Sequence, residues 1–466
     1  MGGLRVTGRS RVAVIGLDCG TPGLLFEQFA DDMPTLTKLR ERSLWGPLRS
    51  IVPPITVPAW SCMMAGRTPG ELGIYGFRNR MDRSYDGLGI ATSRAVKVPR
   101  LWDRLTAAGR DSVVVSVPGT YPPSAIRGTM VSCFLAPSTD SRYTSPASVS
   151  DELADLTGGY VLDVADFRTE DKARVAQQVF DMTEQRFTVA KHFAGTRDWD
   201  LFAFVDMGPD RLHHGFWAAC DPEHPRYEPG NPHENLFRDY YRGVDRHLAE
   251  FLEVLDDDVA VLLVSDHGGQ PMLGGFCLNE WLRERGYLVL NKEPTGPTPI
   301  AQCDIDWSRT IAWGDGGYYG RLFLNVAGRE PNGVIAPGSY DAVRERLVRE
   351  LEELTDHEGL PMGNRALLPE DEYPEVNGIA PDLIVYFGDL RWRAAGTLGL
   401  GTGLYTFTND TGPDDANHAQ YGVFALSGDG LDVGYREDLS LLDVAPTLQS
   451  LLGLPPVATQ RGRILT

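Results

Sequence analysis

Val12-Ala-Val-Ile-Gly-Leu-Asp18 is the stretch that decides the fold. Six uncharged, mostly branched residues end on a carboxylate. The run is too short for a secretory or membrane-spanning segment and suits a strand buried on both faces. The same texture returns in Ser112-Val-Val-Val-Ser116, Leu201-Phe-Ala-Phe-Val205 and Val259-Ala-Val-Leu-Leu-Val264, then in Leu383-Ile-Val-Tyr386 and Gly422-Val-Phe-Ala-Leu426. Residues 33–42, 237–255 and 441–452 carry apolar side chains at helical spacing. Strands with no polar face, alternating with amphipathic helices, predict an α/β fold whose sheet is covered on both sides.

The chain has 466 residues, long enough for one large core with a smaller addition. Residues 287–379 are rich in Gly and Pro and have a strand and a helix of their own. We expect them to form an inserted cap between core segments 1–286 and 380–466. Residues 118–157 read as a long ordered loop. With 64 acidic against 44 basic residues the formal charge is −20. That field opposes polymeric nucleic acid and anionic lipid surfaces. It still permits a small phosphate compound where metal ions reverse the local sign. Six cysteines are dispersed without a C-x-x-C pair, as free buried thiols in a reducing compartment would be. The expected setting is the cytoplasm, with no membrane association.

Metal-binding residue types stand at the exits of the expected strands. Asp18 follows the first. Asp266 and His267, with Gly268-Gly269 to permit an irregular turn, follow Val261-Leu-Leu-Val264. Asp210 follows the 201–205 strand by one turn, and Asp210-Arg-Leu-His-His214 puts a carboxylate and an imidazole on one helical face. His418 precedes the 422–426 strand. A surface ion pair has the same spacing as Asp210 and His214, and an ordinary turn can hold Asp-His-Gly. Taken together, three carboxylates and three imidazoles match the needs of two divalent cations. Thr56, in Pro53-Pro-Ile-Thr-Val-Pro-Ala-Trp60, sits near the start of a helix expected over 59–65. It is placed either as a plain cap or as a hydroxyl beside an anion. Trp60, Arg78, Arg80 and Arg211 are the candidate substrate contacts. Gly314-Asp-Gly-Gly-Tyr-Tyr319 of the cap is a candidate aromatic lid.

These stretches, with Ala65-Gly-Arg-Thr-Pro69, Val117-Pro-Gly-Thr-Tyr-Pro-Pro123, Ser265-Asp-His-Gly268, Gly328-Arg-Glu-Pro-Asn-Gly333 and Asp443-Val-Ala-Pro-Thr447, resemble the alkaline phosphatase superfamily. The resemblance is to its type I phosphodiesterase/nucleotide pyrophosphatase branch, in the family's order and over almost the whole chain. It implies a three-layer sandwich with a mostly parallel sheet and a smaller inserted cap. It implies one divalent cation on Asp18, Thr56, Asp266 and His267 and another on Asp210, His214 and His418, with zinc expected and manganese as the alternative. The implied activity is hydrolysis of a phosphate ester, diester or pyrophosphate of a small, nucleotide-like molecule through a phosphorylated Thr56. The sulfatase branch is disfavoured because no C-x-P-x-R motif occurs. A phosphomutase is the first alternative, and a non-catalytic binding protein of the same fold is the second.

Overall fold

A computed structural model describes residues 11–465. The first ten residues of the expected core segment lie outside the described residues. The central sheet takes its strands from both ends of the chain. They are β1 (Val12–Leu17), β2 (Leu44–Arg49), β3 (Ser112–Val115), β4 (Gly128–Val131), β5 (Leu201–Asp206), β6 (Ala260–Val264) and β7 (Tyr421–Ser427). Their spatial order is β2-β7-β6-β1-β5-β3-β4, with short strands added at both margins. β6, β1, β5, β3 and β4 run parallel, and β7 runs antiparallel to both of its neighbours. Every residue of β1, β3, β5 and β6 is buried, so both faces are covered, as the unbroken apolar runs require.

Helix α1 (Thr56–Ala65) packs against Val444–Leu451, while α2 (Lys172–Thr196), α3 (Gly208–Cys220) and α4 (Leu236–Leu252) pack on one another. On α4 the buried residues Phe237, Tyr240, Tyr241, Val244, Leu248 and Phe251 recur at three- and four-residue steps, which gives one apolar face. In β1, Gly16 is required by contact. A Cβ there would lie 2.6 Å from the Trp60 ring and 2.7 Å from Val205.

A second apolar core gathers Phe276, Trp281, Leu322, Phe323, Leu347, Leu383 and Val385. Its sheet runs Ala312–Asp315, Gly320–Leu324, Leu383–Tyr386, Arg365–Leu367, under the helix Tyr340–Glu352. Leu383–Tyr386 therefore pairs inside this smaller sheet, although it follows residue 380. The expected loop at 118–157 is instead structured. It contributes β4, the strand Thr144–Ser145 and the helix Val149–Thr157. Four residues such as Gly128-Thr-Met-Val131 show no periodicity on their own, and only pairing with β3 makes them a strand. The six cysteines are free, four buried and Cys220 and Cys303 partly exposed. No helix among the described residues is long and apolar enough to cross a membrane.

Candidate active site

Strand register brings the first acids together. β1 lies between β5 and β6, with Gly16 level with both Val205 and Val264. Two residues further, Asp18 and Asp266 leave the same edge of the sheet side by side. This is the carboxyl edge, where open parallel sheets bind ligands. The Trp60 indole N–H donates to Asp18 Oδ2 at 2.7 Å, and the Cys19 N–H donates to Asp266 Oδ1 at 3.3 Å. Asp206, the last residue of β5, turns away. It accepts from Thr183 Oγ1 at 2.8 Å, Tyr240 at 3.0 Å and the Gly208 N–H at 3.1 Å.

The helical spacing of Asp210 and His214 holds on α3, where Nε2 of His214 lies 3.4 Å from Asp210 Oδ1. His418 arrives on the strand Ala416–Ala419, which pairs antiparallel with Gly268–Pro271 so that His418 faces Gly269. Its ring stacks on His267 at 3.8 Å, and its Nε2 lies 3.4 Å from that of His214 and 3.7 Å from Asp210 Oδ1. His267 Nε2 lies 3.1 Å from Asp266 Oδ2, 3.9 Å from Asp18 Oδ1 and 3.2 Å from Thr56 Oγ1. Two groups have ligand atoms close enough to share an ion: Asp18, Asp266 and His267, and Asp210, His267 and His418. His267 belongs to both. The resemblance divides these residues into two separate sets, whereas the fold sets His267 between them.

All three imidazoles face the same way for a physical reason. His214 Nδ1 lies 2.7 Å from Asp414 Oδ1, His267 Nδ1 3.1 Å from the Gly268 carbonyl, and His418 Nδ1 2.8 Å from the Pro54 carbonyl. Carboxylates and carbonyls only accept, so each Nδ1 carries the proton and each Nε2 is directed inward. Opposite them, Asp18 Oδ1, Asp210 Oδ1 and Asp266 Oδ2 are buried without a hydrogen-bond partner. Burying an unpaired carboxylate costs on the order of several kcal/mol, so this donor set fits divalent cations better than it fits itself.

The electrostatics agree. Burial, then Asp210, pushes the Asp18 carboxyl well up, and burial with Asp18 does the same to Asp266. Burial opposes ionisation of Asp210 as well, but His214, Arg211 and His418 outweigh it and hold that carboxyl well below its ordinary range. Burial lowers His267 to about 4, and burial with His267 lowers His418 well below its ordinary value, so both rings are neutral at physiological pH. Burial also works against a charged His214, yet Asp414, Tyr318 and Asp210 raise it well above the usual imidazole value.

Thr56 is the first residue of α1, three positions earlier than the sequence suggests. The first helical N–H used inside the chain is that of Ala59, to the Ile55 carbonyl. The N–H groups of Thr56 and Val57 precede it and stand at the positive end of the helix. Of the four candidate substrate contacts, two sit beside the cluster with their polar groups engaged and two line a separate cavity. Trp60 is wholly buried and holds Asp18, so no face of its ring is open to a leaving group. Arg211 forms a two-pronged bond to Asp163 at 2.8 and 2.7 Å and a third bond to Asp210 Oδ2 at 2.5 Å. Arg78 and Arg80 line a cavity of about 540 Å³ with Tyr85, Trp307 and Trp313, and none of the clustered residues borders it. Within that cavity Arg80 is paired with Glu330.

Three further neighbours complete the surroundings, among them a tyrosine of the stretch expected as an aromatic lid. Asp414 stands four residues before His418 and orients His214 across the site. Tyr318, from the turn between two strands of the smaller sheet, stacks on His418 at 4.0 Å and on His214 at 5.0 Å. Arg168 joins them, donating through Nε to Asp414 at 3.0 Å and through Nη2 to the Tyr318 hydroxyl at 2.7 Å.

Comparison with known proteins agrees with this architecture. Human ectonucleotide pyrophosphatase/phosphodiesterase 5 superposes with a TM-score of 0.56 at 14% identity, covering 97% of both chains. The inactive murine protein of the same name, in complex with AMP, gives 0.56 at 13% identity and the same coverage. Phosphonoacetate hydrolase from Sinorhizobium meliloti, in complex with phosphonoformate, gives 0.60 at 16% identity, covering 96% of this chain and 95% of that one. At such identities the likeness establishes the fold. A sequence comparison with curated proteins returns no match. The family model for type I phosphodiesterase/nucleotide pyrophosphatase matches residues 12–414, which include every clustered side chain except His418. The chain therefore belongs to the type I phosphodiesterase/nucleotide pyrophosphatase family of the alkaline phosphatase superfamily, and is a hydrolase of phosphoric esters.

Proposed function

We propose that this protein cleaves a phosphate ester, diester or pyrophosphate bond of a small molecule through a phosphorylated Thr56, with two divalent cations, zinc first, as cofactors. The observation that carries the reading is the inward convergence of three Nε2 atoms on three unpaired buried carboxylate oxygens, with Thr56 Oγ1 3.2 Å from one of those nitrogens. Asp18, Asp266 and His267 would hold one cation beside Thr56, and Asp210, His214 and His418 the other. When bound, such cations lower the pKa of a nearby hydroxyl and balance charge on phosphoryl oxygens.

The chain's own groups do the rest. Thr56 Oγ attacks phosphorus and the leaving alcohol or phosphate departs. Water then attacks the phosphothreonine and restores the hydroxyl. The free N–H groups of Thr56 and Val57 point where a phosphoryl oxygen would sit. Trp60, Arg211 and Asp414 hold Asp18, Asp210 and His214 in place through their outer atoms. The test is Thr56→Ala, which should keep bound metal and lose turnover of an aryl phosphate or aryl diester. Undiminished turnover would remove Thr56 from its role.

One observation favours phosphomutase as the second reading. The Tyr318 ring lies over two of the histidines, and a mutase must keep water out until the phosphoryl group has moved. Isomerisation of a sugar phosphate without release of inorganic phosphate would distinguish it.

A further inference from the structure

No side chain of the cluster reaches solvent. Asp18, Thr56, Asp210, His214, Asp266, His267 and His418 are each at most 2% exposed. A substrate can touch them only if something moves, and the piece resting on them from the cap is the partly exposed Tyr318 ring. Its hydroxyl is held by Arg168 Nη2 at 2.7 Å. Its backbone follows Gly316 and Gly317, and Gly317 sits at φ 144°, in the region that favours glycine. Gly317 also pairs with Ala394, and the Tyr318 carbonyl accepts from Asn417 Nδ2 at 2.9 Å, which fixes the base of the turn while the ring is held by its stacking on the two imidazoles and by the bond at its tip.

Arg168 is the cation within reach of the Tyr318 ring. Three guanidinium groups attend the carboxylates of Asp210 and Asp414, while Arg226 donates to the Asp414 carbonyl and is paired with Asp415. The side chains of Arg211 and Arg393 are 8% and 5% exposed, and Arg211 is fully committed to Asp163 and Asp210. The Arg168 side chain is 26% exposed, and it spends its outer nitrogen on a neutral phenol. A carboxylate or phosphate returns full charge to a guanidinium and can accept two parallel N–H bonds, which a phenol hydroxyl cannot, so an arriving anion competes well for that nitrogen.

Building on the phosphoryl-transfer site described above, we infer that Arg168 and Tyr318 form a latch that selects substrates carrying a second anionic group near the reacting phosphoryl group. The second anion takes Nη2 of Arg168 from the Tyr318 hydroxyl, and the freed ring swings off His418 and His214. Arg168 thus acts as a specificity residue, and Tyr318 as the gate it controls.

Binding, independent of turnover, tests this. The probes are 3-phosphonopropionate, with a phosphonate and a carboxylate, and propylphosphonate, with the phosphonate alone, titrated calorimetrically into zinc-loaded protein. The expected result is a preference of about tenfold or more for the first, lost in Arg168→Gln, in which propylphosphonate binds no more weakly than in the native protein. Tyr318→Phe, which removes only the latch hydroxyl, should tighten both. Equal affinity for the two probes in the native protein, binding of neither, or an equal loss of both in Arg168→Gln would overturn the latch. Where Arg168→Gln does not fold, the native comparison and Tyr318→Phe decide. A protein that binds both phosphonates with the expected preference yet turns over no phosphate ester counts against the proposed reaction and leaves the latch standing.

Discussion

His214 and Asp414 are 200 residues apart in sequence, yet Nδ1 of one lies 2.7 Å from Oδ1 of the other, with both side chains buried. Asp414 also takes the Arg168 guanidinium on its second oxygen, so it links the latch to the candidate metal cluster. Asp414→Asn keeps the shape and loses the charge. Metal affinity should fall about 10- to 100-fold, as for other carboxylates that orient a ligating imidazole, in a zinc titration with a competing chelator. Unchanged affinity would reduce Asp414 to a packing role.

Trp60 is predicted to act through Asp18. Trp60→Phe fills most of the volume and removes the indole N–H, leaving a second buried oxygen of Asp18 without a donor. The metal-free protein should lose about 1–3 kcal/mol of stability in urea. Loaded protein should hold less zinc by elemental analysis. Full zinc content and native stability together would show that the bond is incidental.

Thr56→Ser retains a hydroxyl at the helix start and should keep part of the turnover that Thr56→Ala loses. Loss of the nucleophile should cost about a thousandfold or more in kcat, and single-turnover experiments with labelled aryl phosphate should label native protein on Thr56 only. A label on any other residue would displace Thr56.

The pH dependence follows from three groups. Folding raises Asp18 and Asp266 above the ordinary 3.8 and His214 above the ordinary 6.5, so each binds its proton more tightly folded than unfolded. Their contribution to stability is present at low pH and is lost as pH rises through the folded values. His267 and His418, lowered by burial, are neutral in both states above about pH 7 and drop out there. As pH rises above the ordinary imidazole value of about 6.5, EDTA-stripped protein should lose thermal stability and the increment from added zinc should grow, as scanning fluorimetry would record. An increment that shrinks over that rise would contradict the assignment.

Much of this was legible from residues 12–18 and their echoes, because a strand buried on both faces has to be continuously apolar and its exit is where polar residues can resume. Asp18 and Asp266 needed only that logic plus register. His418 was harder. A lone imidazole before a strand becomes informative only when the antiparallel pairing that sets His418 opposite Gly269 is known. Trp60 and Arg211 offer no free group to a substrate for a related reason. Spacing says which residues are near the site, but not which atoms remain free. Trp60 and Arg211 are near it and already occupied by carboxylates. Tyr318 reaches it from the Gly314–Tyr319 stretch expected as an aromatic lid, whereas Arg168 comes from a segment with no motif at all.

The position of β7 carries a consequence for how the molecule is made. This strand lies between β2 and β6, one strand in from the β2 side of the sheet, yet it is delivered only at residues 421–427. Until the ribosome has released that segment, β2 and β6 each present an open hydrogen-bonding margin, and the nascent chain has a gap between them. A message truncated anywhere upstream of it would therefore yield an adhesive fragment rather than a smaller working protein.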